Sequence, residues 1–382
     1  MKRGGDPYRA GGGMARIAKG WFPRPGDQKT CEGGELSGFT GQDVKMRKLL
    51  TGILALVLVF GLASVDTAQA ALKGEYKLTM NVTTDTAWGQ GGVKFAELVK
   101  DYTGGKVNVK VYPNAQLVGG DQMRQAEMVS SGAIDFMLNS TINIAPIIPE
   151  CNAFSLPFMF PSYESVDAVT GSAAGQMVLD ALEKHNMVGL AWGENGFREL
   201  TNNVKPVAHP DDMKGLKIRV VTPIYIDIMR ALGANAIAMN WGEVFTSLQQ
   251  GVIDGQENPI VGIIIPNKIY EVQKYLTNWH YSYDALILAV NKNVWESFDP
   301  DIKEQIKKAA VDSMRWQVHD VSRVGLGDGI EFLKSQGMTV TDPTPEQLAA
   351  FREMTKAVYE KWSANVGADI VKAFEEAVSS FK

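Results

Sequence analysis

The order in which residue periodicity switches is what most constrains this chain. Residues 76–82 alternate with the period of two expected of a strand, and residues 88–102 then place Val93, Phe95, Leu98 and Val99 at helical spacing before Gly104 and Gly105 stop the pattern. Alternation returns at 106–112, a helical pattern at 121–131 and a short apolar run at 133–138. This β-α-β-α-β order predicts a parallel sheet covered by helices. Residues 144–161, rich in Pro and large apolar side chains without clean period, read as a packed loop. A helix over 164–184 and a strand over 187–192 follow.

Near residue 196 the succession starts again. A strand from Phe197, a turn at His209-Pro210-Asp211-Asp212, strands over 216–221 and 234–239, and helices over 224–232 and 242–250 make a second α/β unit. Residues 279–291 keep Tyr281, Tyr283, Ala285, Ile287, Ala289 and Asn291 in one register, long enough for a strand that runs between the units. Asp299-Pro300 caps a long helical pattern over 302–333, 338–341 is a short strand, and Pro345 opens the final helices. A chain that crosses between two α/β units more than once has a hinge, and such units close around a ligand between them.

The N-terminal portion reads as an address. Met46-Arg47-Lys48, an apolar run over 49–65 and Ala68-Gln69-Ala70 have the charged, hydrophobic and small-residue parts of a secretory signal, with cleavage expected after Ala70. Residues 1–45, rich in Gly and Arg without apolar periodicity, are expected to be a non-native upstream extension, with Met46 the start. No Cys follows the apolar run, which disfavours a lipid anchor. Removing residues 1–70 takes away ten basic and six acidic side chains and moves the formal charge from −5 to −9, against a nucleic-acid partner. About 312 residues remain, enough for two domains, and Cys151 is the one cysteine left, so no intramolecular disulfide forms in the exported chain.

An acidic protein that binds acids must set local cations against its own field, which makes arginine placement decisive. Arg219 lies in Leu216-Lys217-Ile218-Arg219-Val220, where Lys217 and Arg219 share one strand face and Ile218 and Val220 the other. Guanidinium is planar, permanently charged and matches a carboxylate with two parallel hydrogen bonds. Arg198, in Asn195-Gly196-Phe197-Arg198-Glu199-Leu200-Thr201-Asn202-Asn203, is a second candidate, although Glu194 or Glu199 could instead neutralise it. Asn258, in Asp254-Gly255-Gln256-Glu257-Asn258-Pro259, is biased to extended geometry by the proline, leaving its amide free to donate or to cap a turn. Trp241 opens a helix, Asn139 ends a strand at the edge where open α/β sheets bind ligands, and Trp88 sits in the first strand-to-helix loop. Each of these three could equally serve packing or capping.

Over nearly everything from residue 76 to the C-terminus, these three ordered motifs resemble the extracytoplasmic solute receptors of TRAP transporters, the DctP-type family. The resemblance implies a two-lobed periplasmic-binding-protein-like α/β fold with hinge-crossing strands and a long connecting helix. Lobe I is then 71–195 plus about 283–325, and lobe II 196–282 plus about 326–382. It puts Arg219 against the ligand carboxylate, with Asn258 beside it, Arg198 as a supporting cation and Trp241 presenting its ring. It further implies a periplasmic monomer that delivers an organic acid to integral-membrane permease subunits. The tryptophans favour a monocarboxylate with a ring or a keto or hydroxyl group, and two arginines leave a dicarboxylate open. A receptor for an ATP-driven importer or a sensor is the alternative reading. No cofactor or metal is expected: the chain has no nucleophile elbow, Walker loop, dinucleotide fingerprint or His-Glu-x-x-His, and His185, His209, His280 and His319 are scattered, so a secreted enzyme is the least favoured class.

Overall fold

The computed structural model describes residues 72–380; the expected signal peptide, the upstream extension and Cys31 lie outside the described residues. In chain order the strands are β1 (Tyr76–Thr79), β2 (Val109–Tyr112), β3 (Phe136–Ser140), β4 (Met187–Phe197), β5 (Glu199–Asn202) and β6 (Lys217–Val220). They continue with β7 (Asn235–Ala238), β8 (Gly255–Asn258), β9 (Tyr275–Thr277), β10 (Tyr283–Asn291) and β11 (Thr339–Thr341). Two mixed sheets result, one ordered β2-β1-β3-β10-β4 and the other β11-β9-β5-β8-β6-β7, and they form the two lobes of the α/β fold that the sequence predicts.

Single residues decide where the chain changes lobe. β4 ends at Phe197 in the first sheet and β5 begins at Glu199 in the second, so Arg198 is the joint. The return crossing, residues 278–282, separates β9 from β10, and the strand expected over 279–291 is therefore shorter at its start. The two crossings are tied together. Arg198 N–H donates to the Ser282 carbonyl at 2.9 Å, and Glu199 Oε2 accepts from the Trp279 and His280 N–H groups at 2.7 and 3.1 Å.

Two long helical patterns are interrupted. The 164–184 segment divides into Tyr163–Thr170 and Ala173–Ala181, because Gly171 closes the first helix and the Ser172 side chain caps the second by accepting from Ala174 N–H. The 302–333 segment runs as Pro300–Trp316, a wider π-helical turn Gln317–Ser322, and Leu326–Ser335. At that turn the Gln317 amide bonds both backbone groups of Glu194 on β4, donating at 2.7 Å and accepting at 2.9 Å. Arg323 donates to Glu194 Oε2 at 2.9 and 2.7 Å and to both Asp167 oxygens at 2.7 Å. Gly193 permits this approach, since a Cβ there would lie 2.9 Å from Met314 Sδ. The expected loop over 144–161 contains the 3-10 turn Pro149–Ser155, buried from Cys151 onward.

The chain's end departs from the expected lobe II assignment of 326–382. Helix Pro345–Val366 packs on both Pro149–Ser155 and Pro223–Ala231, and helix Ala368–Ser379 packs on Tyr163–Thr170 and Ala173–Ala181. The cause is the apolar face Ile370, Val371, Phe374 and Val378, which covers aromatic surface of the first lobe: the Phe374 ring meets Phe154 edge-on at 5.0 Å and Phe160 at 6.1 Å. One core therefore runs from Phe154 and Phe374 through Tyr283 and Phe197 to Trp279 and Phe351. A second fills the first sheet's other face, beneath Ala87–Tyr102 and Pro300–Trp316, and a third lies under the second sheet. Phe374→Ala is expected to destabilise the protein by about 3–5 kcal/mol, the usual cost of emptying a buried phenylalanine site, as measured by denaturant unfolding.

Candidate ligand-binding site

Between the sheets lies a cavity of about 30 Å³, lined from the first lobe by Asn81, Val82, Trp88, Gln122, Ser140, Ile142 and Asn143. The second lobe contributes Arg219, Val221, Trp241, Asn258 and Ile263, β4 and β10 of the first sheet contribute Asn195 and Asp284, and the joint between the lobes contributes Arg198. Five of the six residues singled out in the sequence thus converge on one space; Asn139 does not line it.

Arg219 reaches the cavity because β6 is flanked by β7 and β8, with Ile218 and Val220 fully buried on its core face. Its guanidinium is 1% exposed and bonds one protein acceptor, the Met239 carbonyl, through Nε at 2.9 Å and Nη2 at 2.7 Å. Among the described residues no carboxylate lies within 4.0 Å of it. Burial lowers its pKa to about 10, with Glu257 pulling upward and Arg198 pushing further down. The group is still cationic near neutral pH, and it carries its desolvation cost without a counter-ion. The Trp241 ring centroid is 5.7 Å from the guanidinium carbon, within cation–π range.

Arg198 behaves differently. Its Nε and Nη2 engage both carboxylate oxygens of Glu257, Nη2 also donates to the Glu257 carbonyl at 2.6 Å, and Nη1 donates to Asp284 Oδ2 at 2.8 Å. Burial opposes its charge, but Glu257 and Asp284 outweigh that and hold its pKa well above the ordinary value. The neutralising partners are Glu257 and Asp284, not the adjacent Glu194 and Glu199. Tyr281 donates to Glu257 Oε2 at 2.7 Å, while Ser140 Oγ and Asn195 Nδ2 donate to Asp284. Arg198 is first a joint between lobes, with one Nη1 hydrogen left uncommitted.

The amides are pre-oriented. Asn258 Nδ2 donates to Gln256 Oε1, so one of its two protons is not free as expected; Gln256 Nε2 in turn donates to Thr201 Oγ1 at 3.0 Å. Asn139 sits behind the wall, its Oδ1 accepting from Ser140 N–H and Asn143 Nδ2, both at 2.9 Å. Asn143 Oδ1 accepts from Gln122 Nε2 at 2.8 Å, and Gln122 Oε1 accepts from Trp241 N–H at 2.9 Å, which links the lobes across the cavity. Trp88 is fixed by its indole N–H, donated to the Leu138 carbonyl at 2.8 Å. Sequence reasoning missed Asn81, Gln122, Asn143, Asn195 and Asp284. Asn81 and Asn143 just beyond β1 and β3 carry a usable signal, the polar residue past a strand's carboxyl end; Asp284 within an apolar strand carries another.

Residues 78–365 match the family model described as bacterial extracellular solute-binding protein, family 7, or DctP. The chain is 33% identical over 306 residues to the C4-dicarboxylate-binding periplasmic protein DctP of Rhodobacter capsulatus, covering 79% of this chain and 90% of that one. Its structure is similar, with a TM-score of 0.79 and 41% identity, to a TRAP periplasmic solute-binding protein of Ralstonia eutropha with bound (S)-2-acetolactate, covering 81% of this chain and 99% of that one. A sugar acid-binding protein of Advenella mimigardefordensis in complex with galactonate is also similar, with a TM-score of 0.77 and 31% identity over 81% of this chain and 99% of that one.

Arg198 keeps Asp284 when Glu257 is neutralised, so Glu257→Gln removes charge-assisted hydrogen bonds without stranding a cation and is expected to lower unfolding free energy by about 1.5–3 kcal/mol. Arg198→Met combined with Glu257→Leu should lose less than the sum of the two single changes, which a double-mutant cycle in denaturant measures.

Proposed function

The chain belongs to the bacterial extracellular solute-binding proteins of family 7, and from that premise we propose that it captures an organic acid by its carboxylate on Arg219 and hands it to the membrane permease of a TRAP transporter. The observation that carries this reading is a buried guanidinium in an interlobe cavity with no carboxylate within ion-pair distance among the described residues. Such a cation gains more from an incoming anion than one already paired, because its desolvation has been met in folding. The signal sequence directs export to the periplasm and is removed by cleavage after Ala70, and the net negative charge of the remaining chain leaves recognition to local charge.

Capture proceeds by closure. The cavity has room for a water or two, so entry of an acid requires the lobes to swing apart about the crossings near Arg198 and residues 278–282. On reclosure Arg219 donates a parallel pair of hydrogen bonds to the carboxylate, Asn258 offers its second amide proton, and Trp241 covers the guanidinium. The Gln122 bond to Trp241 N–H re-forms as the lobes meet. Each charged hydrogen bond contributes on the order of 1.5–3 kcal/mol once water is excluded.

Arg219→Ala is expected to weaken binding of the natural acid by more than about tenfold, or about 1.4 kcal/mol, with circular dichroism unchanged; equal affinity by calorimetry would overturn the assignment. Arg219→Lys should also bind weakly, since an ammonium lacks the planar fork.

A further inference from the structure

A second cavity, of about 190 Å³, lies behind the crossings. Tyr163 and Phe197 line it from the first lobe and Pro259 and Val261 from the second, joined by Leu326 and Ile330 of the helix that packs on residues 260–264. Side chains alternate along the joint: Arg198 faces the interlobe cavity, whereas Phe197 and Glu199 on either side of it line the rear one. Asn278 and His280 of the return crossing line the rear cavity too. The crossings therefore stand between a front space and a rear space. When two lobes turn about such an axis, the front gap widens only as the rear gap narrows. Anything that fills the rear resists opening of the front.

The lining selects a neutral occupant. It contains no lysine or arginine among the described residues, so an anion finds no counter-charge. Its one carboxylate, Glu199, is committed: Oε1 lies 2.9 Å from His280 Nδ1, and Oε2 accepts from the Trp279 and His280 N–H groups. The walls are rings and branched apolar side chains, with Tyr163 and Phe197 meeting edge-on at 4.9 Å, and Ser322 adds a hydroxyl. Apolar cavities of about 150 Å³ take up a benzene ring. Tyr163, Val261 and Leu326 are half-buried, so this space is reached from solvent without parting the lobes.

We propose that the rear cavity is a second binding site, for a small neutral ring compound bearing a hydroxyl group, and that its occupant holds the lobes shut. The ring lies among Phe197, Val261 and Leu326, and the hydroxyl pairs with Ser322. The effect on closure rests on the swing about the crossings proposed above; the site itself does not.

Phenol is the probe. Calorimetry of the full receptor should give a Kd of about 1 mM or tighter. Small-angle scattering at saturating phenol should give a smaller radius of gyration than the receptor alone. Leu326→Trp, which fills the space with its own ring, should bind phenol at least about tenfold more weakly and show the smaller radius without it. Arg219→Ala should keep both responses; loss of phenol binding in that variant, still folded by circular dichroism, would place phenol in the front cavity and overturn the proposal. Absence of phenol binding to the wild type overturns the site, whether or not Leu326→Trp folds. Binding with an unchanged or larger radius overturns the hold on closure. Neither readout involves an acid, so acid capture on Arg219 stands or falls separately.

Discussion

The ion pairs of Arg198 with Glu257 and Asp284 are the contact on which the rest of the structure depends. Arg198 is the single residue between β4 and β5, Glu257 belongs to the second sheet and Asp284 to the first, so one guanidinium holds both lobes at their junction. All three side chains are almost fully buried. A charge in that setting is tolerable only when its partners and their remaining lone pairs are satisfied, and Tyr281, Ser140 and Asn195 supply those bonds.

With that joint neutralised, Arg219 is left as the charge that faces the cavity without an opposing carboxylate. The contrast between the two arginines is physical rather than positional: both are buried, yet acidic neighbours raise the pKa of one while burial lowers that of the other. The cavity-facing cation is thereby separated from the hinge, although the two groups share one lining. The amide chain from Asn139 through Asn143 and Gln122 to Trp241 extends the same order across the cavity in uncharged form.

Much of this was legible in the sequence. The alternation around Arg219 gave its strand face, and the switching of periods gave two α/β units, whereas the return crossing before Tyr283 was implied by the family resemblance. The fate of Arg198 was not legible, because its partners stand 59 and 86 residues away and nearer glutamates offered a simpler pairing. Asn139 ended a strand as expected, but which way its amide turned depended on Asn143 and Ser140. The helix breaks at Gly171 and Gln317 escaped a reading based on apolar spacing, since a cap and a side chain bonded to a distant strand set them. The placement of the last helix depended on aromatic surface that only the folded 149–161 segment creates.

That last helix has a consequence for the whole molecule. Because Ala368–Ser379 and its predecessor fasten elements of both lobes into one aromatic core, neither half of the chain is a self-sufficient folding piece. Melting should be a single cooperative event, and any gape at the mouth must be a swing about a spine that remains zipped throughout.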